Sequence, residues 1–425
     1  MPKLSLNTHL NEFYCKPIIN LHQRISPAVA QDTKDTGAVE LDSLKLAKIL
    51  QEVHVPAFLD SLGPESVVHV YDHDIDLQGV LVIDNTVLGP GKGGIRIQPT
   101  VTPREIFKLA RTMTYKCSLA NVSFGGAYAG IRADPFKIDK ITFVRSFARG
   151  IAPYVPDRYI AGPETNVGEE EIVAFVEEIG DLQGATGKPE KMGGIPHGLK
   201  TTEFGVGVAL ETGLAIAHEF FRLPNDVAQM RIAILGFDAI GSGIARYLAN
   251  KKATIVAIGD RWGAAYNKDG IRIEKALKHA CATSERQSIK NLRPASILSR
   301  DDVLGVNCDL MILASYGTID EERAMSINAK FIVEATNNAM TPGAEQILYK
   351  KGAFILPDIL VTSGGVIGSY AEYRRMSIEK AFTLIETMVK ANTKLIVQRS
   401  LESALLPRRI AREIATERVV GAMEK

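Results

Sequence analysis

The sequence has 425 residues, of which 46% are hydrophobic and 23% are charged, and its formal net charge is +1. A single hydrophobic core stops growing at about 250–300 residues, so this length and composition predict a soluble globular protein that is long enough for two domains. The balanced charge gives no reason to expect binding to nucleic acid or to an anionic membrane. The four cysteines lie far apart and fit no CxxC pattern, which argues against a disulfide framework and against a zinc site.

The N-terminal segment has no pattern typical of a targeting signal. Its apolar residues are interrupted by His9, Asn11 and Glu12, so it lacks the continuous apolar core of a signal peptide. No uninterrupted apolar run approaches the roughly 18 residues of a membrane span. We therefore expect a cytoplasmic protein without a membrane anchor.

The first half of the chain mixes helices with short strands. Residues 1–40 are poorly patterned and are predicted to form an N-terminal extension, followed by a first α/β domain over residues 41–196. Short apolar runs predict strands over Ser66–Val70 and Gly79–Ile83. The amphipathic segment Pro103–Cys117, with proline in its first turn, predicts a helix.

Two glycine-rich segments flank this predicted helix. Gly91–Gly94 contains Lys92, and Gly125–Gly130 contains Tyr128. We interpret both segments as glycine turns, because glycine adopts tight backbone conformations at little steric cost. Lys116 stands near the end of the helix between them.

The second half of the chain has a different pattern. Residues 197–369 alternate apolar runs with helical segments, which predicts a parallel sheet covered by helices. Residues 370–425 return to a helical pattern, and we expect these helices to pack back on the first domain. The apolar runs are Ile232–Leu235, Thr254–Ile258, Leu310–Ala314, Phe331–Val333 and Ala353–Leu356.

Residues 230–245, MRIAILGFDAIGSGIA, read as a strand, a tight turn and a helix. Gly236 and Gly241 hold the first and third positions of the GxGxxG dinucleotide-binding fingerprint. Asp238 replaces the middle glycine, and its carboxylate would repel a diphosphate at a helix terminus that otherwise favours anions. Asp260 follows the next predicted strand, where an acidic group commonly accepts from a ribose hydroxyl. The segment predicts a Rossmann-type domain in which Asp238 either displaces the cofactor slightly or lowers its affinity.

The fold prediction is therefore α/β. An N-terminal α/β domain precedes a Rossmann-type dinucleotide-binding domain, with a cleft between them.

The order of the glycine-rich segments and the two lysines resembles the substrate domain of the glutamate/leucine/phenylalanine/valine dehydrogenase family, and the glutamate dehydrogenases most closely. The resemblance covers about residues 45–425, so residues 41–196 would be the substrate-binding domain. It implies that Lys92 and Ser369 hold the side-chain carboxylate of glutamate and that Lys116 holds the α-carboxylate. A cation at Lys92 favours an acidic substrate side chain over an apolar one.

Two catalytic positions of the family carry other residues in this chain. Tyr128 stands where the family has its catalytic lysine, and Glu164 stands where it has an aspartate. A tyrosine hydroxyl with an ordinary pKa near ~10 cannot supply a positive charge at neutral pH. The extra methylene of Glu164 moves its carboxylate by a bond length, and a misplacement of ~1 Å can cost ~100-fold in rate. The pair fits a reshaped working site as well as a site that has lost catalysis.

The resemblance also implies a nicotinamide cofactor, NAD or NADP. Thr202 matches the threonine beside the nicotinamide, and Asn337 matches the contact to its ribose. Asp260 favours NAD, because its carboxylate would repel the 2′-phosphate of NADP, although Arg261 beside it offers that phosphate a partner. Glu203 replaces a family glycine and adds a second carboxylate near the cofactor. We expect no metal.

Two functions follow from these observations. The first is a glutamate-dehydrogenase-like oxidoreductase that interconverts an amino acid, with glutamate favoured, and its 2-oxo acid. The second is a catalytically impaired paralogue that binds an amino acid or a nucleotide as a regulatory subunit. The retained lysines favour the first function, and the substitutions at Tyr128 and Glu164 favour the second. The resemblance implies a homo-oligomer such as a hexamer, or a mixed oligomer with a catalytic paralogue.

Overall fold

A computed structural model of the chain describes residues 59–196, 199–315 and 317–425. The predicted N-terminal extension, residues 1–40, lies outside the described residues, as do the first residues of the predicted substrate domain. Two β-sheets with their covering helices make up the described part.

Six strands form the first sheet, and three α-helices of the described residues alternate with its later strands along the chain. The strands are Ser66–Asp72 (β1), Leu77–Asn85 (β2), Gly91–Lys92 (β3), Ile95–Ile97 (β4), Gly125–Ile131 (β5) and Tyr159–Ile160 (β6). The helices are Pro103–Leu119 (α1), Lys140–Ile151 (α2) and Glu169–Ile179 (α3). Strands pair in the order β1-β2-β5-β3-β6, with β4 paired to β5. The predicted strands at β1 and β2 and the predicted helix at α1 are confirmed.

The glycine-rich segment from Gly125 to Gly130 is a buried strand, so the prediction of a second glycine turn is wrong. Gly126, Tyr128 and Gly130 share one face of β5, because alternate residues of a strand face the same side. A side chain at Gly126 would lie 2.1 Å from the Thr114 hydroxyl and 2.2 Å from its backbone nitrogen on α1. The glycines are therefore required by the close approach of a helix.

Seven strands form the second sheet. They are Arg231–Leu235 (β7), Thr254–Gly259 (β8), Ala264–Tyr266 (β9), Ser296–Leu298 (β10), Leu310–Leu313 (β11), Phe331–Glu334 (β12) and Phe354–Leu356 (β13). They pair in the order β10-β9-β8-β7-β11-β12-β13. Strands β8, β7, β11, β12 and β13 run parallel, which confirms the predicted parallel sheet. Strand β8 lies on one side of β7 and strand β11 on the other, so the strand order reverses beside β7. Open α/β sheets bind ligands at such a point.

Nine helices of the described residues belong to this second half and to the C-terminal segment. They are Thr201–Phe221 (α4), Ala239–Asn250 (α5), Ile273–Ala276 (α6), Glu321–Ser326 (α7), Pro342–Lys350 (α8), Asp358–Val361 (α9), Ser363–Tyr373 (α10), Ile378–Ser403 (α11) and Pro407–Met423 (α12). Helix α12 packs against α1: the Ser118 hydroxyl donates to the Ala415 carbonyl at 2.7 Å, and Arg418 donates to the Leu119 carbonyl at 2.7 Å.

Helix α4 is long and apolar enough to cross a membrane by length and composition alone, with a mean hydropathy of 1.2 over its most apolar window. Half of that window is buried inside the protein. The helix packs against α5, α10 and α11. Its apolar character is accounted for by this packing, since a helix that is covered on several sides is hydrophobic nearly all round.

We expect Gly126→Ala to lower the free energy of unfolding by about 2–3 kcal/mol, because the added methyl group meets helix backbone that cannot move aside locally. Urea unfolding followed by circular dichroism measures this loss. Gly421→Ala is the matched control, since a side chain at Gly421 would meet nothing within 4 Å and alanine in an open helix is neutral or stabilising. Equal unfolding midpoints for the two variants would contradict the close-packing explanation.

Candidate active site

Lys116 joins the two halves of the described structure. Its ammonium donates to the Asn337 side-chain oxygen at 2.5 Å and to the Thr362 hydroxyl at 2.6 Å. Lys116 lies on α1, whereas Asn337 follows β12 and Thr362 lies between α9 and α10. Burial lowers the pKa of Lys116, and the nearby carboxylate of Asp358 opposes this shift. The structure thus brings together a predicted substrate lysine and a predicted cofactor residue.

Lys92 is also buried, on β3 between β5 and β6. Its ammonium donates to the carbonyl of Ala161 at 2.8 Å and lies 3.5 Å from that of Ile160. Desolvation lowers the pKa of Lys92 to about 8, against the opposing charge of Glu372. A lysine with this pKa is charged at neutral pH and loses its charge as the pH rises through about 8.

Glu372 and Lys188 form a buried ion pair near Lys92 that the sequence analysis missed. Lys188 donates to Glu372 at 2.5 Å, and the backbone amides of Gly187 and Ile195 donate to the same carboxylate at 2.8 and 2.7 Å. Glu372 lies one turn after the predicted substrate residue Ser369 on α10. A single carboxylate in an otherwise apolar helix was the sequence signal that could have indicated this pair.

Tyr128 and Glu164 meet over Gly94. A side chain at Gly94 would lie 2.7 Å from Cβ of Glu164 and 3.3 Å from the Tyr128 hydroxyl oxygen. The Tyr128 ring is 3% exposed and packs in a cluster with Ile106 and Leu109 of α1. The two predicted catalytic residues therefore lie close together at Gly94, where the Tyr128 hydroxyl and the aliphatic part of the Glu164 side chain are the nearest groups.

Arg96 binds this pair and was not identified from the sequence as a site residue. Its guanidinium donates to both carboxylate oxygens of Glu164, at 2.9 and 3.0 Å, and also pairs with Glu105. It lies 5.7 Å from the centre of the Tyr128 ring. Burial opposes the charge of Arg96, but the hydrogen bonds to Glu164 outweigh it and raise the pKa of Arg96. The cation beside Tyr128 and Glu164 is therefore a guanidinium.

The glycine positions of the dinucleotide fingerprint are set by backbone contacts. Gly236 has φ of +108°, and a side chain there would lie 2.4 Å from the backbone of Ala314 and Ser315, which follow β11. A side chain at Gly241 would lie 1.9 Å from the Gly236 carbonyl oxygen. Asp238 is the N-cap of α5, and its side chain makes no capping hydrogen bond to the described backbone. The turn keeps the backbone geometry of a dinucleotide site and adds a carboxylate at its helix terminus.

Glu203 is a second carboxylate against the same helix. It is 5% exposed, and a side chain at Gly243 on α5 would lie 2.9 Å from one of its oxygens. Its cation partner, Lys200, lies at 3.2 Å. Desolvation raises the pKa of Glu203, and Lys200 opposes this shift. Two carboxylates thus lie beside the turn that would hold a diphosphate.

Thr202 lies beside α10 at the start of α4. A side chain at Gly365 would lie 2.6 Å from the Thr202 hydroxyl oxygen. Thr362 immediately precedes α10 and binds Lys116, which also binds Asn337. Thr202, beside the first turn of α10, therefore approaches the same part of the structure as Asn337.

The Asp260 carboxylate binds its own loop and a second segment that begins at Ser288. One carboxylate oxygen accepts from the amides of Trp262 and Gly263 and from the Ser288 hydroxyl, at 2.8, 3.2 and 2.9 Å. The other accepts from the amide of Ile289 at 2.8 Å. The residue is 7% exposed. These contacts make Asp260 the organiser of the loop after β8.

Arg261 is the exposed charge at this end of β8. Its guanidinium stacks 4.9 Å from the centre of the Trp262 ring. A guanidinium held on an aromatic face keeps its hydrogen-bond donors available in the plane of the group.

The residues at this turn fit a nicotinamide dinucleotide. Close backbone contacts at Gly236 and Gly241 set the shape of the turn that leads into α5, and the amides at the start of this helix would supply donors to a diphosphate. Asp238 and Glu203 reduce the electrostatic attraction of the site without filling the turn.

Two family models match the chain. The model of the Glu/Leu/Phe/Val dehydrogenase dimerisation domain matches residues 64–180, and the model of Glutamate/Leucine/Phenylalanine/Valine dehydrogenase matches residues 193–425. Together they span most of the described structure.

Individual relatives agree with the family models. The chain is 33% identical to the NADP-specific glutamate dehydrogenase of Saccharolobus shibatae, over 80% of this chain and 83% of that protein. It is 34% identical to the glutamate dehydrogenase of Aeropyrum pernix, over 80% and 84% of the two chains. The hetero-hexameric glutamate dehydrogenase of Thermus thermophilus, in its Leu-bound form, superposes with a TM-score of 0.74 at 26% identity, covering 91% of this chain and 97% of that one. With both halves matched and these relatives aligned over four fifths of its length, the chain belongs to the Glu/Leu/Phe/Val dehydrogenase family.

Proposed function

We propose that this protein is an amino-acid dehydrogenase of the glutamate type, which interconverts glutamate with 2-oxoglutarate and ammonia. The observation that carries the proposal is the contact between Lys116 and Asn337. It joins a cation suited to an amino-acid carboxylate to a residue expected at the nicotinamide ribose. The names of the relatives from Saccharolobus and Aeropyrum support glutamate as the substrate.

The substrate is held by cations at both ends. Lys116 binds the α-carboxylate, and Lys92 with Ser369 binds the side-chain carboxylate. Both lysines are buried, so their interaction with a carboxylate is screened less than it would be in water. The pair selects a dicarboxylic amino acid by charge.

The chemistry is centred on Glu164. A bound nicotinamide cofactor would supply the hydride acceptor for the substrate α-carbon. Glu164 accepts a proton from the substrate amine and releases it to solvent. It then accepts a proton from the water that adds to the resulting imine and passes that proton to the carbinolamine nitrogen, which leaves as ammonia. Arg96 orients Glu164 through both carboxylate oxygens, and the Tyr128 hydroxyl donates toward the oxygen of the carbinolamine. Loss of ammonia from the carbinolamine gives the 2-oxo acid.

Purified protein should reduce a nicotinamide cofactor when glutamate is supplied, and oxidise the reduced cofactor when 2-oxoglutarate and ammonium are supplied. A spectrophotometric assay at 340 nm with NAD and with NADP tests both directions. Absence of turnover in both directions, together with absence of 2-oxoglutarate binding by calorimetry, would contradict the proposed function.

We expect turnover to be slow, and we expect Tyr128 to be the main cause of the low rate. Removing one electrostatic stabiliser of a developing oxyanion costs ~10²–10³ in rate, and a neutral phenol lacks the charge of a lysine. The double variant Tyr128→Lys, Glu164→Asp should therefore exceed the wild type in kcat for glutamate. Fast wild-type turnover that falls in this variant would show that Tyr128 and Glu164 form a working pair of their own. Phe136→Lys, at an exposed position, is the control for an added lysine.

The cofactor we propose is NADP. The sequence favoured NAD because Asp260 was expected to face the ribose, but its carboxylate already accepts four hydrogen bonds, two from its own loop and two from Ser288 and Ile289. Arg261, stacked on Trp262, is the charged group left for the 2′-phosphate. The relative from Saccharolobus is NADP-specific by name, in keeping with this assignment.

Arg261→Ser should raise the KM for NADP about tenfold, equivalent to about 1.4 kcal/mol, and change the KM for NAD less than twofold. Steady-state kinetics with both cofactors measure the two values. Arg272→Ser, which removes another exposed arginine of the same half, should change neither. An equal effect of Arg261→Ser on the two cofactors would contradict the assignment.

The preference for a side-chain carboxylate should weaken above about pH 8. Lys92 has a lowered pKa of about 8, so its charged form is present below that pH and is lost above it. We expect the ratio of the Kd values for 2-oxovalerate and 2-oxoglutarate to fall about tenfold between pH 7 and pH 9. Calorimetric titration measures both ligands, which differ in the distal carboxylate. In Lys92→Met the ratio should be small and independent of pH. A constant ratio in the wild type would contradict the role of Lys92.

We further propose that the chain assembles as a hexamer in the cytoplasm. One matched family model describes a dimerisation domain, and the Thermus thermophilus relative is hetero-hexameric by name. Light scattering on the purified chain, alone and with any co-purifying relative, distinguishes a homo-oligomer from a mixed one.

A further inference from the structure

The position of the Lys116 ammonium depends on two groups of the second half. Its acceptors are the Asn337 side chain and the Thr362 hydroxyl. Neither group lies on a strand: Asn337 is in the loop after β12, and Thr362 is between two helices. The backbone at both places needs to be held from elsewhere if Lys116 is to keep its position.

Asp358 holds both places. One of its carboxylate oxygens accepts from the amide of Asn338 at 2.8 Å, and Asn338 has a left-handed φ of +53°. The backbone carbonyl of Asp358 accepts from the Thr362 hydroxyl at 2.7 Å and from its amide at 3.1 Å. Because Asn338 is the neighbour of Asn337, one fully buried aspartate fixes the two acceptors of Lys116.

Arg408 in turn holds Asp358. It is the second residue of α12, and its guanidinium donates to Asp358 at 2.7 Å and to Glu345 at 3.0 Å, and also binds Glu334. The C-terminal helix thus reaches the active site through one side chain that shares its donors among three carboxylates.

The charges explain why an arginine is needed. Glu334 and Asp358 are fully buried, and one oxygen of Glu334 has no hydrogen-bond partner among the described residues. Burial raises the pKa of Glu334 to about 8, against the field of Arg408. The Asp358 carboxylate favours the charged form of Lys116. Without Arg408, Lys116 would be the main cation acting on Asp358. Arg408 therefore occupies Asp358 and leaves the Lys116 ammonium for another anion.

We propose that Arg408 is a positioning residue for the substrate. By binding Asp358 it fixes Asn337 and Thr362, and so it places the Lys116 ammonium where the α-carboxylate of the amino acid binds. This inference rests on the proposed function of Lys116. It assigns to the C-terminal helix a role in substrate affinity, in addition to its packing on α1.

The test compares Arg408→Met with Arg418→Met. Arg418 lies on the same helix and donates to the backbone carbonyls of Ser118 and Leu119, so its loss weakens the attachment of the helix without touching Asp358. Arg408→Lys restores the charge with a single point donor and should give intermediate values. Hydrogen exchange followed by mass spectrometry reports on residues 336–340, and circular dichroism shows that each variant folds.

Arg408→Met should raise the Kd for 2-oxoglutarate, measured by calorimetry, about tenfold or more. In a Lys116→Met background the same substitution should change the Kd less than about threefold, because the group it positions is gone. Arg418→Met should change the Kd less than about threefold in either background. Arg408→Met should also lose exchange protection at 336–340, while Arg418→Met keeps it.

Two results would overturn the inference. One is unchanged protection at 336–340 in Arg408→Met, which needs no ligand and no turnover. The other is an additive effect of Arg408→Met and Lys116→Met on 2-oxoglutarate affinity, which would make Arg408 a general stabiliser of the fold. Failure of the wild type to bind 2-oxoglutarate would contradict the proposed function, and the exchange measurement would still decide the inference. If Arg408→Met does not fold, Thr362→Val removes the hydroxyl between Lys116 and Asp358, and it should weaken 2-oxoglutarate binding in the same Lys116-dependent way.

Discussion

The buried ammonium of Lys116 is the contact on which the arrangement of the active site depends. A charge removed from water is tolerated only when hydrogen bonds and nearby opposite charge compensate its lost solvation. Here the compensation comes from the second half of the chain, from Asn337, Thr362 and the field of Asp358. The ammonium that we propose for the substrate α-carboxylate therefore also connects the first sheet and its helices to the second half of the chain.

The catalytic centre is organised around a carboxylate and a guanidinium. In the family the lysine supplies both a positive charge and a titratable proton, whereas here these properties are divided. Arg96 carries a permanent charge, but its guanidinium donates hydrogen bonds to both carboxylate oxygens of Glu164. Tyr128 has a hydroxyl proton and no positive charge. A site of this kind orients a substrate well and withdraws charge from it weakly.

The dinucleotide turn separates steric from electrostatic requirements. Gly236 and Gly241 are fixed by contacts under 3 Å that no side chain could avoid, so the turn keeps its shape. Asp238 and Glu203 change the charge beside that turn without changing its backbone. Electrostatic repulsion acts over a longer distance than steric exclusion and is relieved by protonation or by a neighbouring lysine such as Lys200. The fold of a dinucleotide site can therefore persist while its affinity changes.

Much of the architecture could be predicted from local pattern. The five parallel strands of the second sheet appeared as apolar runs because strands buried on both faces are apolar at every position. The roles of Lys92, Lys116 and Glu164 were predicted from resemblance, through the glycine-rich motifs around them, and they stay predictions. The segment around Gly126 was mistaken for a turn, because glycine content alone does not distinguish a flexible backbone from one packed against a helix.

What only the tertiary structure decided concerns the partners of charged groups. The sequence by itself determined that this chain has the two-sheet architecture of its family and carries a tyrosine and a glutamate at the catalytic positions. It did not determine that Arg96 binds Glu164, that Asp260 binds Ser288 and Ile289 as well as its own loop, or that Arg408 of the C-terminal helix binds Asp358. Local propensity and periodicity report on neighbours within a few residues, whereas an ion pair joins residues that are far apart in sequence. Its geometry exists only after the chain has folded.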